Sequence, residues 1–164
     1  MNTTLQTLAA LASDIGGQMK SRGETIAVAE SSSGGLISAA LLSIPGASAY
    51  YRGGGVIYTR DARRALLGLP EDLVNMRAAT EDYAAIVANA IRGKMGATWG
   101  LCETGASGPS GNSYGDPAGH TAIALEGPIS NCATLKTEDN DRVVNMWHFA
   151  EAALNLLRTS LTRK

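Results

Sequence analysis

The sequence predicts an α/β protein: a three-layer α/β/α sandwich around a mostly parallel, mixed sheet of about five strands. Three observations carry this. Segments with apolar residues at helical spacing alternate along the chain with short apolar, β-branched runs. The first such run, Thr25-Ile-Ala-Val-Ala29, passes through a tight polar turn directly into a helix, as strands of open parallel sheets do. Late in the chain two further runs lie close enough to form a hairpin, which adds an antiparallel pair. No repeat or linker divides the 164 residues, so one domain, 1–164, is expected.

Each element has its own signal. Leu5, Leu8, Ala9, Ala12, Ile15 and Met19 recur at helical spacing, predicting an amphipathic helix from Thr3 to about Ser21 that Gly23 closes. The strand that follows breaks at Glu30-Ser-Ser-Ser-Gly-Gly35, and Leu36, Ile37, Ala40 and Leu41 resume as a helix that Pro45-Gly46 ends. Gly53-Gly-Gly-Val-Ile-Tyr-Thr59 reads as a second strand entered through glycines. A short helix over Asp61 to Leu67 ends at Gly68, and Pro70 opens another with Leu73 and Met76 facing inward.

Thr80-Glu81-Asp82 is a helix start, a capping residue followed by acidic residues. That helix runs to about Met95 and buries Tyr83, Ile86, Val87, Ala90 and Ile91. Trp99 to Thr104 is a third strand, interrupted by Glu103. Gly105 to Ala118 is dense in Gly, Ser and Pro and reads as an ordered binding loop. His120–Leu125 and Asn131–Lys136 form the hairpin around Glu126-Gly127-Pro128. Asp141 starts the last helix, with Val144, Trp147, Ala150, Leu154 and Leu157 as its core stripe.

Composition narrows the function. A net charge of −1, with no run of like charges and 5% aromatic residues, argues against nucleic-acid binding, which needs clustered Lys and Arg. Cys102 and Cys132 fit neither a metal-ligand spacing nor a disulfide framework, and Cys102 reads as a small core residue. No apolar stretch reaches membrane-spanning length, and Met1 to Lys20 has no basic leader region. A cytoplasmic protein without membrane or nucleic-acid partners is expected.

The candidate chemistry sits in the polar turn. Helix N-terminal N–H groups lack intrahelical partners and carry partial positive charge, so the turn can hold an anion or a developing oxyanion. The bland alternative stands beside it, since any of the three serines can simply cap the helix. Ligands of open α/β sheets bind beyond the carboxyl ends of strands. That rule brings Ser31, Tyr58 to Arg63, and Thr104 to Gly108 toward one crevice. Arg142 opposes the dipole of the last helix, a placement that suggests an anionic partner, with an ordinary surface arginine as the bland alternative. Glu103 reads as a solvated or ion-paired carboxylate or as a catalytic one. His120 reads as a strand-surface residue or an acid–base group.

Ala29-Glu-Ser-Ser-Ser-Gly-Gly35 resembles the Ala-Glu-Ser-Cys-Thr-Gly-Gly motif of the CinA C-terminal domain family, which includes nicotinamide mononucleotide deamidases. Ser43-Ile-Pro-Gly-Ala-Ser-Ala-Tyr50, Gly55-Val-Ile-Tyr-Thr-Arg-Asp-Ala62, Leu66-Leu-Gly68, Thr104-Gly-Ala-Ser-Gly-Pro109, Asp116-Pro-Ala-Gly-His-Thr121 and Asp141-Arg142 continue the likeness in order. The resemblance implies an α/β/α domain that assembles as a homo-oligomer and hydrolyses the carboxamide of a small nucleotide substrate, with no metal or other cofactor. It implies Ser31 as nucleophile, Tyr58 and Thr104 as catalytic partners, and Arg142 as a substrate contact. Backbone donors at Ser32, Ser33, Gly34, Gly35 and Gly105 would complete the site. Arg63 falls where deamidases carry a lysine of the catalytic set, and an arginine cannot inherit a general-base role. Glu103 and Ser107 also depart from the pattern, with Glu103 open as a replacement base or as a partner of Arg63. An amidohydrolase is therefore one expectation; a member that binds a nucleotide-like ligand or a protein without hydrolysis is the other.

Overall fold

The structure, a computed structural model, describes residues 4–162. It is a mixed five-stranded sheet in the order β2-β1-β3-β4-β5, built from Ile26–Glu30 (β1), Tyr51–Val56 (β2), Trp99–Ala106 (β3), His120–Glu126 (β4) and Asn131–Lys136 (β5). β1 pairs in parallel with both β2 and β3, whereas β4 runs against β3 and β5. β4 alone is thus reversed, which makes the sheet mostly parallel in sense. Helices α1 (Leu5–Arg22), α2 (Leu36–Leu42) and α6 (Arg142–Thr162) cover one face, and α5 (Glu81–Met95) covers the other. Two short helices, α3 (Arg60–Ala62), which runs on as one π turn over Arg63–Leu67, and α4 (Glu71–Val74), lie on the α5 side.

The two faces differ in residue size, and the strand pattern causes it. Successive side chains point to opposite faces. Ile26, Val28, Trp99, Leu101, Ile123 and Leu125 face α1, α2 and α6, while Ala27, Ala29, Cys102 and Ala124 face α5. The shallow face lets α5 press close: a Cβ on Gly100 would stand 2.0 Å from the Ala88 carbonyl oxygen, so only glycine fits there. Thr80 caps α5 by accepting from the Tyr83 N–H at 3.2 Å, Glu81 and Asp82 occupy its first turn, and Gly96 closes it with a φ of 57°.

The described residues shift several boundaries. Thr4 caps α1, and the predicted start at Thr3 lies outside the described residues. β2 begins and ends earlier than the glycine-led reading and releases Tyr58 and Thr59 as a connection, where Thr59 caps α3. Gly105 and Ala106 belong to β3, because both pair with β4. Among the described residues no helix is long and apolar enough to cross a membrane.

The topology places the site. Because β1, β2 and β3 share one sense, Glu30, Val56 and Ala106 end at the same edge. β5 runs in that sense too, so residues 137–141 deliver the first turn of α6 to that edge. Chain segments far apart in sequence therefore meet there.

Candidate active site

The turn after β1 is organised by a carboxylate rather than by its serines. Glu30, 1% exposed, accepts from the N–H groups of Gly35 (2.9 Å), Ile37 (3.1 Å) and Ser38 (2.8 Å), from Ser38 Oγ (2.6 Å) and from Ser33 Oγ (2.8 Å). It thus caps α2 from inside the turn, a role expected of the serines, and Gly35 at the N-cap has no side-chain cap. The geometry needs positive φ at Gly34 (66°) and Gly35 (101°), which glycine adopts without penalty.

Glu103 does the same from the sheet. Wholly buried, it accepts from the N–H groups of Ser31 (3.2 Å) and Ser33 (2.8 Å) and the hydroxyls of Ser32 (2.7 Å), Ser33 (2.8 Å) and Thr121 (2.8 Å). It is therefore neither solvated nor paired with Arg63, and its lone pairs are spent, so it takes no proton from Ser31. The Ser33 hydroxyl lies between the two carboxylates and has one proton for both.

This arrangement revises the predicted oxyanion donors. The Ser33 and Gly35 N–H groups go to Glu103 and Glu30, and the Gly34 N–H goes to the Ser31 carbonyl at 3.2 Å. Among Ser32 to Gly35, only the Ser32 N–H has no partner among the described residues. The Ser32 and Ser33 hydroxyls serve the turn. Ser31, 9% exposed, keeps its hydroxyl free of hydrogen bonds within the described chain.

Across the edge, Tyr58 and Arg142 meet. Arg142 donates through Nη2 to the Tyr58 oxygen (3.1 Å) and through Nη1 to the Gly108 carbonyl (2.7 Å). With Gly105, Ala106, Ser107, Ser110, Gly111 and Asn112 they line a pocket of about 230 Å³. The anionic partner expected for Arg142 is absent among the described residues; its bonds go to neutral oxygens. Asn145, which the sequence reading passed over, holds this wall. Its amide donates to the carbonyls of Ser107 (2.8 Å) and Asp139 (2.9 Å), and its oxygen accepts from Thr137 Oγ1 (2.6 Å). The signal was present: an asparagine breaks the apolar stripe of α6.

Thr104, 3% exposed, accepts from the Ala79 N–H at 3.3 Å. Ala79 has a φ of 57°, a left-handed conformation that costs a non-glycine residue about 1–2 kcal/mol. Its carbonyl faces His120 Nε2 at 2.8 Å, so that nitrogen carries the proton. His120 is buried rather than on the strand surface, and its Nδ1 has no partner. Ser31 is not among its hydrogen-bond partners.

Arg63 points elsewhere. Buried at 7% exposure, it donates through Nη1 to the Val74 carbonyl (3.1 Å) and stacks 5.0 Å from the Tyr83 ring centroid. Burial pushes the Tyr83 phenol up to about 12, with Arg63 pulling it back. No hydrogen bond joins Arg63 to Ser31, Tyr58 or Thr104 among the described residues.

Neither cysteine offers a thiolate. Burial, then Glu103, raises the Cys102 thiol well above its usual value. Exposed Cys132 donates to Glu81 at 3.0 Å, and this bond, with burial and nearby carboxylates, pushes it up to about 11. The thiolate is the reactive form, so Cys132 alkylation is expected to rise only as pH approaches about 11. Labelling of Glu81→Gln should rise at lower pH. Equal rates for the two proteins at pH 8.5, followed by mass spectrometry, would contradict this.

Binding groups gathered beyond the carboxyl ends of parallel strands mark the ligand edge of an open α/β sheet, and this protein is of that class. More narrowly, the chain belongs to the CinA C-terminal domain family, whose model matches residues 8–161. A CinA-like protein of Trichormus variabilis is 37% identical over 155 residues, covering 92% of this chain and 37% of its own length. A putative competence-damage inducible protein of Desulforamulus reducens is 43% identical over 119 residues, covering 72% of this chain and 29% of its own length. The chain thus spans a third or so of these relatives. Among solved structures, the competence/damage inducible protein CihA from Agrobacterium tumefaciens is 29% identical with a TM-score of 0.85, covering 94% of this chain and 95% of that one. A CinA superfamily protein from Klebsiella pneumoniae reaches a TM-score of 0.87 at 24% identity, covering 96% and 99%, a likeness of fold.

Proposed function

We propose that this chain is an amide hydrolase of pyridine mononucleotides, converting nicotinamide mononucleotide to nicotinate mononucleotide and ammonia with Ser31 as nucleophile. The observation that carries the reading is the unpartnered Ser31 hydroxyl at a strand end whose edge also holds the Tyr58–Arg142–Gly108 wall of the pocket. Ser31 Oγ would attack the carboxamide carbon. Tyr58 is the group we assign as relay, because Glu103 is saturated and a guanidinium does not give up its proton. The Tyr58 oxygen, held by Arg142, takes the serine proton while its own O–H proton passes to the departing nitrogen, which leaves as ammonia. Water then cleaves the Ser31 ester and restores the hydroxyl. The Ser32 N–H and the hydroxyl of Thr104 are the donors we assign to the oxyanion.

One observation favours a second reading, a member that binds such a nucleotide without hydrolysing it. Arg63 stands where the deamidases carry lysine, and it is stacked on Tyr83. The two readings part in one experiment on the purified chain, with ammonia release and calorimetric binding measured on the same nicotinamide mononucleotide. Release supports the hydrolase; binding without release supports the second reading.

A further inference from the structure

The loop that leaves β3 turns its oxygens one way and its N–H groups another. Asn145 Nδ2 donates to the Ser107 carbonyl (2.8 Å) and Arg142 Nη1 to the Gly108 carbonyl (2.7 Å), so both oxygens face α6. In a planar trans peptide the N–H points opposite the carbonyl, so the Gly108 N–H is turned away from Asn145. Among the described residues the N–H groups of Ser107, Gly108, Ser110 and Gly111 meet no acceptor. Ser107, 3% exposed, and Gly108 are buried, and a buried N–H without a partner is rare in a folded chain. The Ser107 hydroxyl is buried and unpartnered as well. All four residues line the pocket of about 230 Å³.

A positive charge stands beside these donors. Arg142, in the same lining, spends N–H groups on the Tyr58 and Gly108 oxygens, both neutral, and a guanidinium has five to give. It forms no ion pair among the described residues. The carboxylates near it in the chain accept from backbone: Asp141 from the Val143 and Val144 N–H groups, and Asp139 from the Asp141 N–H. Asp116, farther along the loop, is held by Arg77 and Asn112. A row of backbone N–H groups in a concavity, next to a guanidinium, is the chemistry that binds oxyanions. A carboxylate brings two oxygens. A phosphate monoester brings three and more charge, enough for both the N–H row and the guanidinium.

We propose that the N–H groups of Ser107, Gly108, Ser110 and Gly111, with the Arg142 guanidinium, form the subsite for a phosphate monoester. The inference deepens the proposed function: it seats the nucleotide's phosphate in this pocket and turns the ring toward Ser31. It rests on that reading for the nucleoside part of the ligand, not for the phosphate.

The test is calorimetric titration of inorganic phosphate into the whole chain at low ionic strength. Ser110 is exposed, so Ser110→Asp should fold normally. Its carboxylate, beside the N–H row, should weaken phosphate binding at least about tenfold by like-charge repulsion, whereas Ser110→Asn should change it little. Arg142→Ala should weaken it about tenfold, as loss of a charged hydrogen-bonding partner does. A second titration uses Ser31→Ala, so that the amide stays intact, and compares nicotinamide mononucleotide with nicotinamide riboside. The mononucleotide should bind at least about tenfold tighter, and adding Ser110→Asp should remove most of that difference. No phosphate binding at millimolar concentration, phosphate binding indifferent to Ser110→Asp, or equal affinities for mononucleotide and riboside would overturn the proposal. Phosphate binding that Ser110→Asp weakens, without ammonia release from the unaltered chain, would leave it standing and remove the hydrolase reading. Ammonia release with phosphate binding indifferent to Ser110→Asp would do the reverse.

Discussion

Under the proposed hydrolase reading, Ser31→Ala is expected to abolish ammonia release from nicotinamide mononucleotide, lowering turnover by at least about a thousandfold, because no second hydroxyl is proposed to form the acyl intermediate in its place. The Ser32 and Ser33 hydroxyls are committed to Glu103 and Glu30. The same change should leave stability within about 0.5 kcal/mol, since Ser31 gives the fold its backbone N–H and no side-chain bond. This pairing of effects separates a nucleophile from a structural serine. Steady-state ammonia assays and urea denaturation of both proteins measure it. Turnover that survives the substitution would remove Ser31 from the chemistry.

The largest effect on stability is expected at Glu103. Glu103→Leu strands the N–H groups of Ser31 and Ser33 and the hydroxyls of Ser32 and Thr121 in a buried region. Hydroxyls can rotate toward other acceptors, but the two N–H groups cannot. Each buried donor left unpaired costs roughly 1–3 kcal/mol, so a loss of about 3 kcal/mol or more is expected in urea unfolding. Thr121→Val gives up one bond, which the Thr104 carbonyl partly shares at 3.1 Å, and should cost about 1 kcal/mol. A Glu103→Leu protein within 1 kcal/mol of the parent would show that the carboxylate does not hold the turn.

Much of the fold was legible because it rests on local pattern. The cap at Thr80, the alternation of Ile26 and Val28 with Ala27 and Ala29, and the hairpin strands each declare themselves within a few residues. β2 was misplaced because Gly53, Gly54 and Gly55 carry no alternation to mark a register. The site was legible as a list of strand ends, which topology then brought to one edge. Its wiring was not. The bond from Ser33 Oγ to Glu103 spans 70 residues, and nothing local shows that a carboxylate inside an apolar run will be met by five donors. Arg63 misled for a related reason. The motif resemblance marks its position in the chain, whereas the π turn, Val74 and Tyr83 fix where its guanidinium points.

The order in which these pieces are synthesised matters as well. Arg142 and Asn145 lie on α6, after every strand, yet they close the wall formed by Tyr58, Ser107 and Gly108. Because α6 also brings Ala150, Leu154 and Leu157 against the sheet, one face of the core and the last wall of the pocket are completed by the same, final element. The pocket wall is therefore the last part of the site that a growing chain can complete, when α6 docks. A chain ending before residue 142 would lack the Arg142 and Asn145 bonds that hold that wall and also part of the core beneath the sheet.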